Sequence, residues 1–187
     1  MYLKDDAGTC SVFVPKCTPR KLPRFIDNGD GTVSDTTTGL MWEKKTTDGS
    51  LHDVNMVFSW STGTNNFDGS AKTAFIDKLN DVAGSGAHCF AGYCDWRLPT
   101  SGGNPAGSSG EPAELETILD LTQGGCGGGT GACVVPALSP TQSNDYWSAT
   151  TNALAPGFAR IVSFDIGIVG NGDKGSETFG RAVRSGL

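Results

Sequence analysis

Short apolar runs broken by turn residues govern most of this chain. Arg24-Phe25-Ile26-Asp27 and Thr32-Val33-Ser34-Asp35 stand on either side of Asn28-Gly29-Asp30-Gly31. Asn-Gly and Asp-Gly steps reach the positive φ of a tight turn, so the segment predicts a β-hairpin. Thr38-Gly39 then turns the chain into a third strand, Leu40-Met41-Trp42-Glu43. Further strands are predicted over Tyr146 to Thr150, Phe158 to Asp165, Gly167 to Val169 and Arg181 to Val183, where residues alternate or run apolar between turns. Two stretches change period. Ala71 to Ala83 carries Phe75, Ile76, Leu79 and Val82 at helical spacing and meets Gly84 and Gly86. Pro112 to Leu121 carries Leu115, Ile118 and Leu119 on one face, with Pro112, Glu114 and Glu116 suited to a first turn. Two helices set among many short strands predict an α+β domain. The predicted core is Phe25, Trp42, Phe75, Leu79, Trp96, Leu98, Leu115, Trp147, Val162, Phe164 and Val183.

Composition narrows the picture. Glycine accounts for 27 of 187 residues, as expected of short strands joined by many turns. Fourteen Lys and Arg face twenty Asp and Glu, a formal charge of −6. An acidic surface repels phosphate backbones, so no nucleic-acid partner is expected. No stretch is apolar for long enough to span a bilayer, and the first residues carry no apolar signal core. The expectation is a piece of a longer exported protein, with an arm over 1–23 and a ligand-binding domain over 24–187.

Six cysteines fall into local pairs, Cys10 with Cys17, Cys89 with Cys94 and Cys126 with Cys133. Spacing favours these disulfides, although six cysteines permit other pairings. No CxxC occurs and only His52 and His88 supply imidazole, which argues against structural zinc. Disulfides imply an oxidising compartment, hence an extracellular or cell-surface location.

Several motifs carry a specific resemblance. They are the hairpin from Arg24 to Asp35, Thr38-Gly39-Leu40-Met41-Trp42, and Cys89-Phe90-Ala91-Gly92-Tyr93-Cys94-Asp95-Trp96-Arg97-Leu98-Pro99-Thr100, followed by Tyr146-Trp147-Ser148-Ala149-Thr150 and Arg181-Ala182-Val183-Arg184. In this order they resemble the bacterial domain family typified by the C-terminal domain of the Lcl collagen-like adhesin. The resemblance implies a C-type-lectin-like fold, with formylglycine-generating enzymes as distant relatives, and it implies surface ligand binding. The type adhesin binds sulfated glycosaminoglycans. This chain is acidic and lacks a basic patch, so that ligand is not carried over. Arg97 is read as the partner of a buried carboxylate.

Candidate chemistry is sparse. Asp27, Asp30 and Asp35 raise a calcium reading, but the alternating carboxylates and late Glu of an EF-hand are missing, so a hairpin turn is favoured. Asp165, Asn171 and Asp173 offer a second set of oxygens for calcium; apart from that ion no cofactor is expected. His88 beside Cys89 raises a Cys–His dyad, yet Cys94 gives Cys89 a disulfide partner. The glycine run from Gly124 to Gly131 lacks the Gly-Lys-Ser/Thr ending of a phosphate loop. No cysteine follows Cys133, which argues against formylglycine-generating activity.

The stretch from Phe158 to Gly180 is the most informative. Against relatives it keeps Ala159, Val162, Phe164, Gly167, Val169 and Lys174, and it has Arg160 where tryptophan is usual. The remaining positions include Ile161, Ser163, Asp165, Ile166, Ile168, Asn171, Asp173 and Glu177. These eight are expected to form one exposed ligand-binding surface, with Ile161, Ser163 and Asp165 on the strand face opposite Val162 and Phe164. Similar segments vary in C-type-lectin-like domains diversified by retroelements, so the chain is also read as such a variable protein. The expected function is a secreted or surface-displayed adhesin or receptor-like domain for a glycan or protein, not an enzyme. The alternatives are a structural subunit or tip of a surface assembly, attached to a larger protein or oligomeric, and an enzyme related to formylglycine-generating proteins.

Overall fold

In a computed structural model the described residues are 22–81, 89–104 and 106–186. Among these residues nine strands form two sheets. The predicted hairpin pairs β1 (Phe25–Asp27) with β2 (Thr32–Asp35) in antiparallel register, Phe25 opposite Asp35 and Asp27 opposite Val33. Gly29 and Gly31 take φ of 78° and 89° there. Next come β3 (Leu40–Glu43) and, from the far end of the chain, β9 (Val183–Ser185), giving the order β1-β2-β3-β9. The second sheet has the order β4-β8-β5-β6-β7. Its strands are β4 (Val57–Ser59), β5 (Asp145–Thr151), β6 (Phe158–Ser163), β7 (Ile168–Asp173) and β8 (Glu177–Phe179).

The five-stranded sheet is buried on both faces. Trp147, Ala159 and Ile161 join Phe58, Trp60, Phe75, Leu79, Trp96 and Leu98 on one side. Tyr146, Val162 and Phe164 join Val33, Trp42, Leu115, Ile118 and Val183 on the other. Alternation along β5 and β6 thus feeds two cores rather than separating core from solvent. The predicted core residues lie in these clusters, except that Phe25 is half-buried against the second one.

Charge is buried as well. Arg97 clamps Glu114 through two bonds of 2.6 and 2.7 Å. Burial pushes Glu114 up, but the Arg97 guanidinium and the Thr100 N–H outweigh it and hold this carboxyl below its ordinary range. Glu43 is enclosed completely. It accepts from Lys45, from the Ala182 N–H and pairs with the His52 ring. Arg181 donates to the carbonyls of Glu43, Leu138 and Pro140 and to the Thr141 hydroxyl, tying β3 to the chain before β5 and β9.

The helices are shorter than predicted. A π-helical turn, Ala71–Ile76, runs into α1 (Asp77–Leu79), and the helix stops before Ala83 because Asp81 takes a φ of 49°. Asn80 is drawn out of the helix by its side chain, which both donates to and accepts from the Trp96 backbone. The second predicted helix is one 3-10 turn, Leu115–Ile118. Glu114 and Glu116 are held by Arg97, Thr100, Ser101 and Gly102, and Leu119 turns extended to bridge Val134. One short α-helix therefore stands among the described residues, not two. Trp96 and Leu98 are core as expected, and their segment is held by a single bridge from Arg97 to Val183.

Candidate ligand-binding surface

The β6–β7 hairpin decides what the predicted residues can do. Its rungs run from Phe158 opposite Asp173 to Ser163 opposite Ile168. Residues opposite one another share a face, so Ser163 and Ile168 lie on the Trp147 side, while Asn171, opposite Arg160, lies on the Val162 side. The turn between the strands closes through the Gly167 N–H on the Ser163 carbonyl, with Gly167 at φ 72°. A methyl group at Gly167 would come within 2.1 Å of Leu121 Cδ2, so Leu121 rests directly on the turn.

A disulfide-closed loop props this turn from outside. Cys126 and Cys133 are bonded. Within the loop, the Gly127 and Gly128 N–H groups both donate to the Asp165 carbonyl, at 2.8 and 3.3 Å. The Cys133 N–H donates to the Phe164 carbonyl. The glycine run therefore directs its amides at the protein's own backbone, not outward as a phosphate cradle. Ser163 Oγ donates to the Asp165 carboxylate and orients it.

The surface so built is aliphatic with an acidic rim. Leu121 is 62% exposed, Ile166 41% and Ile168 53%. Asp145 on β5 stands opposite Ser163 and so shares its face. Among the described residues neither Asp165 nor Asp145 has a basic partner.

The eight predicted residues do not form one surface. Ser163, Asp165, Ile166 and Ile168 come together at the turn. Ile161 is in the core, 9% exposed. The physical reason is the glycine content of β7. A methyl at Gly172 would meet the Trp147 ring at 2.7 Å and one at Gly170 would meet Ile161 at 3.3 Å, so Trp147 and Ile161 cover this face of β7 where positions 170 and 172 offer no side chain. Asn171 and Asp173 sit toward the other end of β7, Asp173 about 17 Å along the strand from Ile168. Asn171 Oδ1 accepts from Arg160 and Asn152, and Asp173 accepts from the Gly175 N–H. Glu177 lies on β8, with β5 and β6 between it and β7. Lys174 fastens that end, donating to the Asn65 carbonyl and the Thr151 hydroxyl and lying 3.9 Å from the Trp60 ring centroid.

Two residues of the surface carry little or no signal in the sequence. Leu121 ends the helix predicted from Pro112, yet it lies off the Leu115–Ile118–Leu119 face and just before a glycine run, and that position is the signal. Asp145 carried no signal, since only the register with Ser163 brings it near.

The remaining candidates disperse. Asp27, Asp30 and Asp35 are engaged in turn bonds to Gly29, Thr32 and Thr37 and in ion pairs with Lys44 and Arg24. Asp165 and Asp173 stand at opposite ends of β7. Among the described residues no group of three or more His, Cys, Asp or Glu is placed to hold a metal ion. Cys89 is bonded to Cys94. His88, Val82 and the Cys10–Cys17 pair lie outside the described residues. No helix among the described residues is long and apolar enough to cross a membrane. The family model of the Lcl C-terminal domain matches residues 31–184. No curated protein and no solved structure matches the chain.

Proposed function

The chain belongs to the Lcl C-terminal domain family, and from that membership we propose that it is a secreted or surface-displayed domain that binds a glycan or protein and catalyses no reaction. Membership suggests a surface-associated domain, and the two disulfides are compatible with an extracellular location. The observation that carries the reading is the Asp165–Ile168 turn. It exposes two isoleucines beside Leu121, yet its backbone is held by four N–H donors and a crosslinked loop. Exposed apolar side chains on a rigid frame are the usual composition of a recognition surface. A C-type-lectin-like ancestry and retroelement-driven variation at this turn both belong to the same proposal.

The test is ligand capture on arrays of glycans and extracellular proteins. The triple variant Asp165→Ala, Ile166→Ala, Ile168→Ala is expected to lose capture with its melting temperature nearly unchanged. Capture retained by that variant would place binding elsewhere. For the variation, a reverse-transcriptase gene with a near-copy of the segment from Phe158 to Gly180 is expected beside this one, and their absence would refute diversification.

A further inference from the structure

We infer that the occupant of this surface is a cationic, aliphatic peptide segment of a protein partner, an assignment that rests on the binding reading above. Three features of the turn select it. First, the exposed side chains are aliphatic. Sugar recognition draws on aromatic faces, and the aromatics nearest in the fold, Tyr146, Trp147 and Phe164, are at most 1% exposed. Second, the neutral polar groups of the turn are already in use, which leaves charge rather than hydroxyl pairing to select the ligand. The Ser163 hydroxyl donates to Asp165, and the Asp165 carbonyl takes two N–H groups. Third, the rim carries two carboxylates without basic partners among the described residues, Asp165 and Asp145, on a chain of net charge −6. Such a rim attracts Lys or Arg and repels sulfate, phosphate and uronate.

A second copy of the chain is a poor occupant for the same reason. A two-fold contact would set this acidic rim against itself, between two bodies that each carry −6. A peptide that seats an aliphatic side chain against Ile166 and Ile168, with a Lys or Arg on either side, satisfies both the apolar centre and the rim. Because the patch is small, the contact is of the weak, transient kind and responds to salt.

The experiment uses the full chain and short fluorescent peptides of fixed composition, Lys/Leu, Glu/Leu and Lys/Ser, beside neutral and sulfated oligosaccharides, read by anisotropy. The Lys/Leu peptide alone is expected to bind. Its affinity should fall about tenfold or more in Ile166→Ser/Ile168→Ser and several-fold in Asp165→Asn. It should also weaken as salt rises from about 0.05 to about 0.5 M. Ile166→Lys, which places a cation within the patch, should abolish binding. Equal binding of Glu/Leu or Lys/Ser overturns the assignment, as does a self-association that Ile166→Ser/Ile168→Ser removes. Oligosaccharide binding that depends on Ile166 and Ile168 overturns the peptide while leaving the surface intact as a binding site. If no probe's binding depends on these residues, both the peptide and the surface fall.

Discussion

Two short disulfide loops of similar size do opposite work in this molecule. The Cys89–Cys94 loop turns one side chain, Phe90, inward, while its Gly92 and Tyr93 are exposed. Its Phe90 ring lies 4.2 Å from His52 and 5.0 Å from Trp96, and the Trp96 indole donates to the Phe90 carbonyl. That loop fastens an aromatic plug to the first core. The Cys126–Cys133 loop faces outward. Most of its residues between the cysteines are exposed, and its amides hold a surface turn by the backbone. One crosslink serves packing and the other presentation, so a crosslink's role is set by what the loop touches rather than by its length.

Removing the inward loop's dock should have the largest effect. Trp96 is 2% exposed, and Trp96→Ala is expected to cost about 3–5 kcal/mol in denaturant unfolding. A loss below about 1 kcal/mol would mean that the plug carries no packing. Replacing either cysteine pair by serine should cost about 2–3 kcal/mol each. The two variants then separate by function: only Cys126→Ser/Cys133→Ser should weaken capture of the Lys/Leu peptide. Equal weakening by Cys89→Ser/Cys94→Ser would erase the division of labour.

Acid should attack the scaffold side. Glu43, Asp35 and Glu114 are all held below their ordinary pKa in the folded protein, burial being outweighed by Lys45, Arg24 and Arg97 respectively. Their stabilisation is present above the unfolded carboxyl range, about pH 4, and is lost as pH falls through the lowered folded values. Unfolding midpoints should therefore decline from about pH 4 downward, and Arg97→Gln should flatten that decline by raising Glu114 toward its unfolded value. A slope unaltered by Arg97→Gln would assign the acid sensitivity to other carboxylates.

Smaller effects mark the outward side. Gly167→Ala combines a strained φ with a clash against Leu121 and should cost about 1 kcal/mol or more. Ile166→Ala and Ile168→Ala should change stability by no more than about 0.5 kcal/mol. A larger loss at either isoleucine would show it to be packing rather than presentation.

What the sequence disclosed follows the same line. The hairpin at Asn28 to Gly31 was legible because turn chemistry is local, and so was the pairing within each of the two described disulfide loops. Trp42, Trp96 and Trp147 were legible as core because large apolar residues beside turn signals have few other places to go. Ile161 was misread because alternation separates core from solvent only on a sheet with one wet face, and β6 has none. The helix expected from Pro112 was lost to tertiary bonds, as Glu114 and Glu116 reach Arg97, Thr100, Ser101 and Gly102 across the Ser101–Gly110 loop. Strands β4 and β8, three residues each, left no pattern at all. At the surface, Ser163, Asp165, Ile166 and Ile168 were legible as unconstrained positions on a constrained frame. Their separation from Asn171, Asp173 and Glu177 needed the register.

The way the turn is fastened has a consequence for how such a domain changes. The donors that shape it, at Gly127, Gly128, Cys133 and Gly167, are all main-chain amides, and their acceptors are the carbonyls of Ser163, Phe164 and Asp165. Amides and carbonyls are common to every residue type except proline, which lacks the donor. The identities of the side chains at 165, 166 and 168 therefore contribute little to the shape that displays them. On the proposed binding reading, a chain built in this way can exchange the side chains at this turn by point substitution while its chassis folds as before, so new specificities would be reachable in single steps that each remain foldable.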